Sequence, residues 1–348
     1  MSEDKFLVNL LASHHILNYV SAGLQGRYAF LNLLQKYKAI KESTVLQRQE
    51  KLQGYIDTIK ELRKELLDGK LLVIEDPPQV VDNRGKKLIK LSKELKKFYL
   101  RLSETLTNKA GKVTDSKTAL KLSPYFLAVL ALAAYSHENF VKENIAFFKG
   151  LELKDFIKEE EFELKQAEEE VEFVHLLIEG YEEHLEEPSE GLLLGIYLEI
   201  LPMIGVLRSY SWDIDLLLEP YTGKLTYEDI PPVDEKTKEG WVAAGVPVQQ
   251  AGYWCSFYFS YEDMKKWANA GITHYMLAGR WAALGFTPAE AREWLTEGFV
   301  PSIAFLWKIE DFSPKEAGQY VDDGYIAPSA LPESILEEKK LKEELKNK

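Results

Sequence analysis

The chain has 348 residues, of which 46% are hydrophobic and 12% aromatic, and a formal net charge of −13. That is too apolar for a disordered chain and long enough for about two domains with buried cores. A single cysteine, Cys255, excludes an internal disulfide and a zinc site built on paired thiolates.

The opening Met1-Ser2-Glu3-Asp4-Lys5 lacks a basic region followed by an apolar one, so an intracellular, cytoplasmic protein is expected. Lys and Glu are abundant and there are ten Gln, a balance seen in thermophiles. The first helical pattern is Leu52, Tyr55, Ile59, Leu62 and Leu66, stepping by three and four. Leu88, Leu91, Leu95, Phe98 and Leu102 repeat it. Asp68-Gly69, the short strand-like run Leu71–Ile74 and Pro77-Pro78 lie between them, which predicts an antiparallel helical hairpin.

Residues 84–122 hold twelve Lys/Arg against three acids. Lys86, Lys90, Lys93, Lys97 and Arg101 run down one side of the second helix and form a candidate interaction stripe. Phosphate contact is one chemistry that suits such a stripe. The acidic chain repels polyphosphate at long range, and the stripe has no base-stacking aromatics. Neither nucleic acid nor a membrane is therefore the expected partner.

Ser123-Pro124 reads as an N-cap with proline in the first turn, opening a helix whose stretch Tyr125–Tyr135 is apolar on all sides. Eleven residues are too few to span a bilayer, so a buried central helix is expected. An acidic helix follows over roughly 154–187, in a region where residues 151–190 carry sixteen acids and three Lys. Its buried stripe is Ile157, Leu164, Val171, Val174, Ile178 and Tyr181. The simplest placement for this helix is beside the basic one.

Glu172 and His175 share one face of the acidic helix, at the Glu-x-x-His spacing of di-iron carboxylate bundles. A complete site needs a second such pair and two more glutamates, and no second pair exists. His14, His15, His137 and His184 join only if tertiary packing brings them in. No metal, cofactor or catalytic residue is assigned. Cys255 sits among Tyr253, Trp254, Phe257 and Tyr258, a setting that raises a thiol's pKa. Gly191–Leu207 carries one charge, Glu199, and its Pro202 favours a core helix over a membrane span. Asp213 and Asp215, beside Trp212, read as the solvated face of a helix end.

Tyr221-Thr-Gly-Lys224 and Ile230-Pro-Pro-Val233 mark a linker, and a repeat begins after it. Helix caps recur at Asp234, Ser260, Thr287 and Ser313. An aromatic follows each by seven residues: Trp241, Trp267, Trp294 and Tyr320. A glycine follows four later, at Gly245, Gly271, Gly298 and Gly324. Ala251, Ala278, Ala304 and Ala330 then recur, with Trp254, Trp281 and Trp307. Thr287-Pro288-Ala289-Glu290 and Ser313-Pro314-Lys315-Glu316 are capping boxes with proline at the first helical position. Val233, Phe259, Phe286 and Phe312 precede the caps as hydrophobic staples, and the glycines stop the helices. These features predict four two-helix units whose tryptophans are core.

The stretches GFTPAEAREWLTEGF and FSPKEAGQYVDDGY resemble short tandem helical repeats with an S/T-P-x-E-A-x-x-W-x-x-x-G core that occur in uncharacterised microbial proteins. The resemblance covers residues 234–330 and implies a stacked helical architecture. It implies no chemistry.

The expected fold is all-α: a bundle of about five long helices over 1–233, four tandem helical hairpins over 234–330, and a charged tail over 331–348. The expected function is a non-enzymatic interaction or structural protein that binds a protein partner or itself as a homo-oligomer. Its contacts are the basic stripe and the non-pattern repeat residues His274, Tyr275, Arg280 and Lys308. A metal-dependent enzyme with a bundle site near His175, or a nucleic-acid-associated factor using 84–122, are the alternatives.

Overall fold

A computed structural model describes residues 3–67, 83–183, 188–337 and 339, with side chains from residue 7 onward. The segment between Leu67 and Asn83, with Leu71–Ile74 and both prolines, lies outside the described residues, as do His184 and most of the tail. Six long helices come first: α1 Glu3–Lys36, α2 Glu42–Leu67, α3 Asn83–Ala110, α4 Ser116–Gly150, α5 Lys154–Glu183 and α6 Glu190–Thr222. Seven helices of nine or ten residues follow: α7 Glu235–Ala244, α8 Val248–Ser256, α9 Tyr261–Asn269, α10 Tyr275–Ala283, α11 Pro288–Thr296, α12 Pro301–Ile309 and α13 Pro314–Asp322. A 3₁₀ turn, Pro328–Ala330, follows α13, and the described residues contain no strand. The chain divides into two compact units, Met1–Tyr261 and Glu262–Lys348.

In the larger unit, α1, α4, α6 and α3 form the inner ring of the bundle. α1 packs on α4, α4 on α6, α6 on α3, and α3 closes on α1. α2 lies outside α1, and α5 lies outside α4. The apolar stripes of α2 and α3 thus pack on different helices, α1 and α6, not on each other as the predicted hairpin requires. The acidic helix likewise sits on α4, across the ring from α3, so the basic and acidic helices are not neighbours.

The sequence reading counts five long helices because α1 hides its pattern. Ile16, Leu17, Val20, Leu24 and Leu31 are buried, but so are Ser13, His14, Asn18 and Ser21, which interrupt an apolar stripe. α4 starts seven residues before the predicted cap. Asp115 accepts from the Thr118 amide at 2.7 Å, and Pro124 sits inside the helix. Ser123 is buried and its hydroxyl donates to the Ala119 carbonyl at 2.9 Å, so it serves the helix interior instead of a cap.

α4 and α6 are long and apolar enough to cross a membrane by length and composition, and half or more of each apolar stretch is covered by neighbouring helices. The first short helices, α7 and α8, belong to this unit, and α8 packs on α6. Gly252 makes that contact close, since a Cβ there would stand 2.0 Å from the Trp212 ring. The Trp212 indole donates to the Gln249 carbonyl at 3.0 Å.

The short helices share one sentence of sequence. Their aromatics, Trp241, Trp254, Trp267, Trp281, Trp294, Trp307 and Tyr320, fall at steps of 13 or 14, half the predicted period. From α8 onward each aromatic occupies the third position before the helix end. Its carbonyl accepts from the amide five residues on: Phe259, Ile272, Phe286, Phe299, Phe312 and Tyr325, at 2.9–3.2 Å. That is the Schellman pattern, with its hydrophobic contact: Trp281–Phe286, Trp294–Phe299 and Trp307–Phe312 ring centroids lie 4.8, 5.0 and 5.1 Å apart. The left-handed stop is glycine in α7, α9, α11 and α13, as predicted. Tyr258 and Asp311 take the same conformation after α8 and α12. An alanine three residues before the aromatic is fully buried in α8, α10, α11, α12 and α13.

In the smaller unit, α10 packs with α11 and α12 with α13, so these close pairs join the second helix of one copy to the first of the next. Both predicted capping boxes form, at Thr287 with Glu290 and Ser313 with Glu316. The fourth copy has α13 and then only the 3₁₀ turn.

Candidate interaction surface

α3 is two-sided by sequence. Leu88, Leu91, Leu95, Leu102 and Leu106 turn inward, and Lys86, Lys90, Lys93, Lys97 and Arg101 are all exposed. Among the described residues, the stripe's ion pair is Lys97 with Glu94 of the same helix, 3.7 Å away. Lys96, off the stripe, pairs at 2.5 Å with Asp215 of α6.

α5 is also two-sided, and its outer side is not purely charged. Ala167, Val171, Val174, Ile178 and Tyr181 are buried. Phe162, Phe173 and Leu176 lie on the opposite side, 64%, 45% and 60% exposed, among Glu159, Glu168, Glu169 and Glu172. These apolar residues escaped the sequence reading, although their displacement from the buried stripe was visible in the helical spacing.

A polar seam fixes α5 to α4. His137 of α4 meets Glu170 at 2.9 Å and Glu163 at 3.9 Å, and the Glu170 contact holds its pKa above the usual histidine value. The Asn144 amide donates to Glu160 at 2.9 Å, and burial raises the Glu160 carboxyl. Behind it, the Asn144 carbonyl oxygen accepts from Asn18 at 2.6 Å and from His14 Nε2 at 3.2 Å. Serving as that donor assigns the Nε2 proton to a neutral His14. Burial pushes His14 down to about 4, and its ring stacks 3.5 Å from Phe147.

His175 and Glu172 are both exposed. The Tyr135 hydroxyl and His175 Nε2 are 2.6 Å apart, on the wall of a cleft of about 480 Å³ shared with Lys36, Glu179 and Glu182. Glu172 does not line it, and among the described residues no group of three His, Cys, Asp or Glu is placed to hold a metal ion. Burial pushes the Cys255 thiol up to about 12, which removes it as a nucleophile. Asp213 and Asp215 are engaged, not solvated: Asp213 accepts from the Tyr19 and Tyr253 hydroxyls at 2.8 Å each, and Asp215 takes Lys96. The reason is that α6 runs on to Thr222, so neither aspartate is at its end.

In the repeats, Trp241, Trp254, Trp267, Trp281, Trp294 and Trp307 are buried and Tyr320 is half-buried, which leaves none of the tryptophans as a ligand platform. His274 caps α10 by accepting from the Met276 amide at 3.3 Å and stacks on Tyr275. Arg280 faces solvent. Lys308 turns inward: it pairs with Glu290 at 2.8 Å and lies 4.5 Å over the Phe286 ring. Lys339 repeats this on Glu316 and Phe312 at 3.0 and 4.2 Å.

No protein-family model, curated protein or solved structure matches the chain.

Proposed function

We propose that this chain is a non-enzymatic, intracellular structural protein that associates with further copies of itself, the basic stripe of α3 on one copy meeting the outer side of α5 on the next. The observation that carries this reading is the pairing of two exposed faces of opposite charge on opposite sides of one bundle. Complementary charge steers encounter and fixes register. Phe162, Phe173 and Leu176 add apolar area that lysine and arginine stems cover well, with their cations over the rings.

The test is mass in solution. Light scattering at low salt is expected to give species heavier than one chain, shifting toward monomer at high salt as the charges are screened. A strict monomer at every salt and concentration overturns the reading. A salt-sensitive complex with a short DNA duplex, formed by a chain that stays monomeric, replaces it with a nucleic-acid role for the same stripe.

A further inference from the structure

We propose that the larger unit holds a binding site for the methylated ammonium headgroup of a small organic cation, in the cavity walled by Tyr19, Tyr99, Phe140 and Tyr210. This site is independent of the self-association faces. The cavity measures about 90 Å³ and lies among α1, α3, α4 and α6. One water needs only about 10–15 Å³ measured this way, so there is room for a compact headgroup.

The walls have the chemistry of an aromatic cage. Half of the lining residues are Tyr or Phe, and none is Lys or Arg. The rings cross steeply: Tyr19 and Phe140 at 74° and 5.9 Å, Tyr99 and Tyr210 at 61° and 5.5 Å. Crossed rings on one wall place a cation within reach of more than one π system. Gly23 makes place for this wall, since a Cβ there would fall 2.5 Å from the Tyr99 hydroxyl.

Negative potential comes from the side of Asp213. Asp213 accepts the Tyr19 hydroxyl, and that bond enriches the Tyr19 ring. His137, a part-exposed lining residue, holds its proton above the usual histidine value through Glu170, and Glu170 and Glu163 offset that charge. A primary ammonium would bury three N–H donors against walls that are mainly carbon, at high cost. Methyl groups carry the same charge and need no acceptors. The ligand class is therefore a methylated amine.

Titration calorimetry of the full chain with choline chloride tests this, beside choline's neutral isostere in which carbon replaces nitrogen. Saturable choline binding is expected, with the isostere at least about tenfold weaker. Phe140→Leu is expected to weaken choline by about the same factor, and Tyr210→Phe, which keeps the ring, to leave it within about twofold. Equal binding of the isostere overturns the proposal in favour of a merely apolar cavity. So does the absence of saturable choline binding by the unaltered chain, or undiminished binding by folded Phe140→Leu.

Discussion

At the end of α8 Tyr258 stands in the left-handed position that glycine takes after five of the other six short helices, and a guanidinium holds it there. Tyr258 adopts φ 61° there, a conformation that costs a residue with a side chain on the order of 1–2 kcal/mol. Arg208, buried on α6, lies 4.0 Å over the Tyr258 ring. It donates to the carbonyls of Ser256, Cys255 and Pro232 at 2.8, 3.0 and 2.6 Å. A cation here meets the negative end of the α8 dipole and adds a donor to the carbonyls of its last turn. Arg208→Met removes all of these donors and retains most of the stem. It is expected to destabilise the larger unit by about 3 kcal/mol, seen as a lower denaturant midpoint and early exchange of α8 amides. An unchanged midpoint would remove Arg208 from this role. Glu290 is a second residue whose effect has a sign. Its pairing with Lys308 and its bonds to Thr287 lower its pKa from 4.5 to about 2. A depressed carboxylate stabilises above its unfolded pKa, and that contribution is lost as pH falls from about 4.5 through about 2. Glu290→Gln is expected to flatten the acid decline of the smaller unit's melting temperature in that window. An identical acid profile in the variant would exclude this pair as its source.

The seam joining α1, α4 and α5 carries two histidines with opposite linkage. His14 is held neutral, its pKa lowered from 6.5 to about 4, so the unfolded chain binds its proton first as pH falls. Stability from His14 is full above about 6.5 and declines toward about 4. His137 is raised by Glu170, so its contribution is full below 6.5 and is lost as pH climbs through the raised value. The expected result is a larger unit most stable near neutrality, with exchange of α5 amides accelerating on the alkaline side. His137→Gln is expected to abolish only the alkaline limb, and His14→Gln to weaken only the acid limb, to which His15, also lowered by burial, adds. If both limbs survive in both variants, the seam does not set the profile. At this scale the sequence was a good guide wherever a helix had one apolar face. α2, α3, α5, the caps Asp234, Thr287 and Ser313 and the stops Gly245, Gly271, Gly298 and Gly324 were legible in it, because their signals are local, whereas the His274 cap and the Gly285 stop of α10 went unread. The start of α4 and the existence of α1 were not legible, because Asp115 out-competes Ser123-Pro124 as a cap and α1 buries polar groups that pair only in the folded bundle. The halved repeat went unread although the aromatics recur every 13 or 14 residues, because only the bond from each aromatic carbonyl to the amide five residues on shows that both helix types end alike. Helix partners were illegible: an apolar stripe states that it must be covered and not by what. That is why the predicted α2–α3 hairpin and the α3–α5 contact both gave way to packing on α1, α6 and α4. Of the candidate interaction residues, the exposure of the α3 stripe was legible by charge and spacing, whereas the inward turn of Lys308 depends on where α11 and α12 place Glu290.

Because α3 and α5 lie across the bundle from each other, a contact between them on two copies cannot also be returned by the same two copies. Such a contact is heterologous and propagates, giving a ring if the rotation closes and a filament if it does not. Mass is therefore expected to rise with concentration past the dimer at low salt. The charges allow a stricter prediction. One variant reverses the stripe: Lys86, Lys90, Lys93, Lys97 and Arg101 all to Glu. A second reverses the exposed acids of the outer side of α5, Glu159, Glu168, Glu169 and Glu172, to Lys. Each variant alone presents like charge on both faces, where juxtaposition repels, and is expected to remain monomeric. Mixed together, each supplies the complement of the other: the acidic stripe of the first meets the lysine-bearing outer side of α5 of the second, and its own acidic outer side meets the unaltered stripe. The mixture is expected to assemble in strict alternation, with chain growth restored at low salt and suppressed as the Debye length shrinks to about 3 Å near molar ionic strength. If the unaltered chain assembles but the mixture of folded variants does not, the association uses other surfaces, and the pairing of α3 with α5 is wrong even though self-association is right.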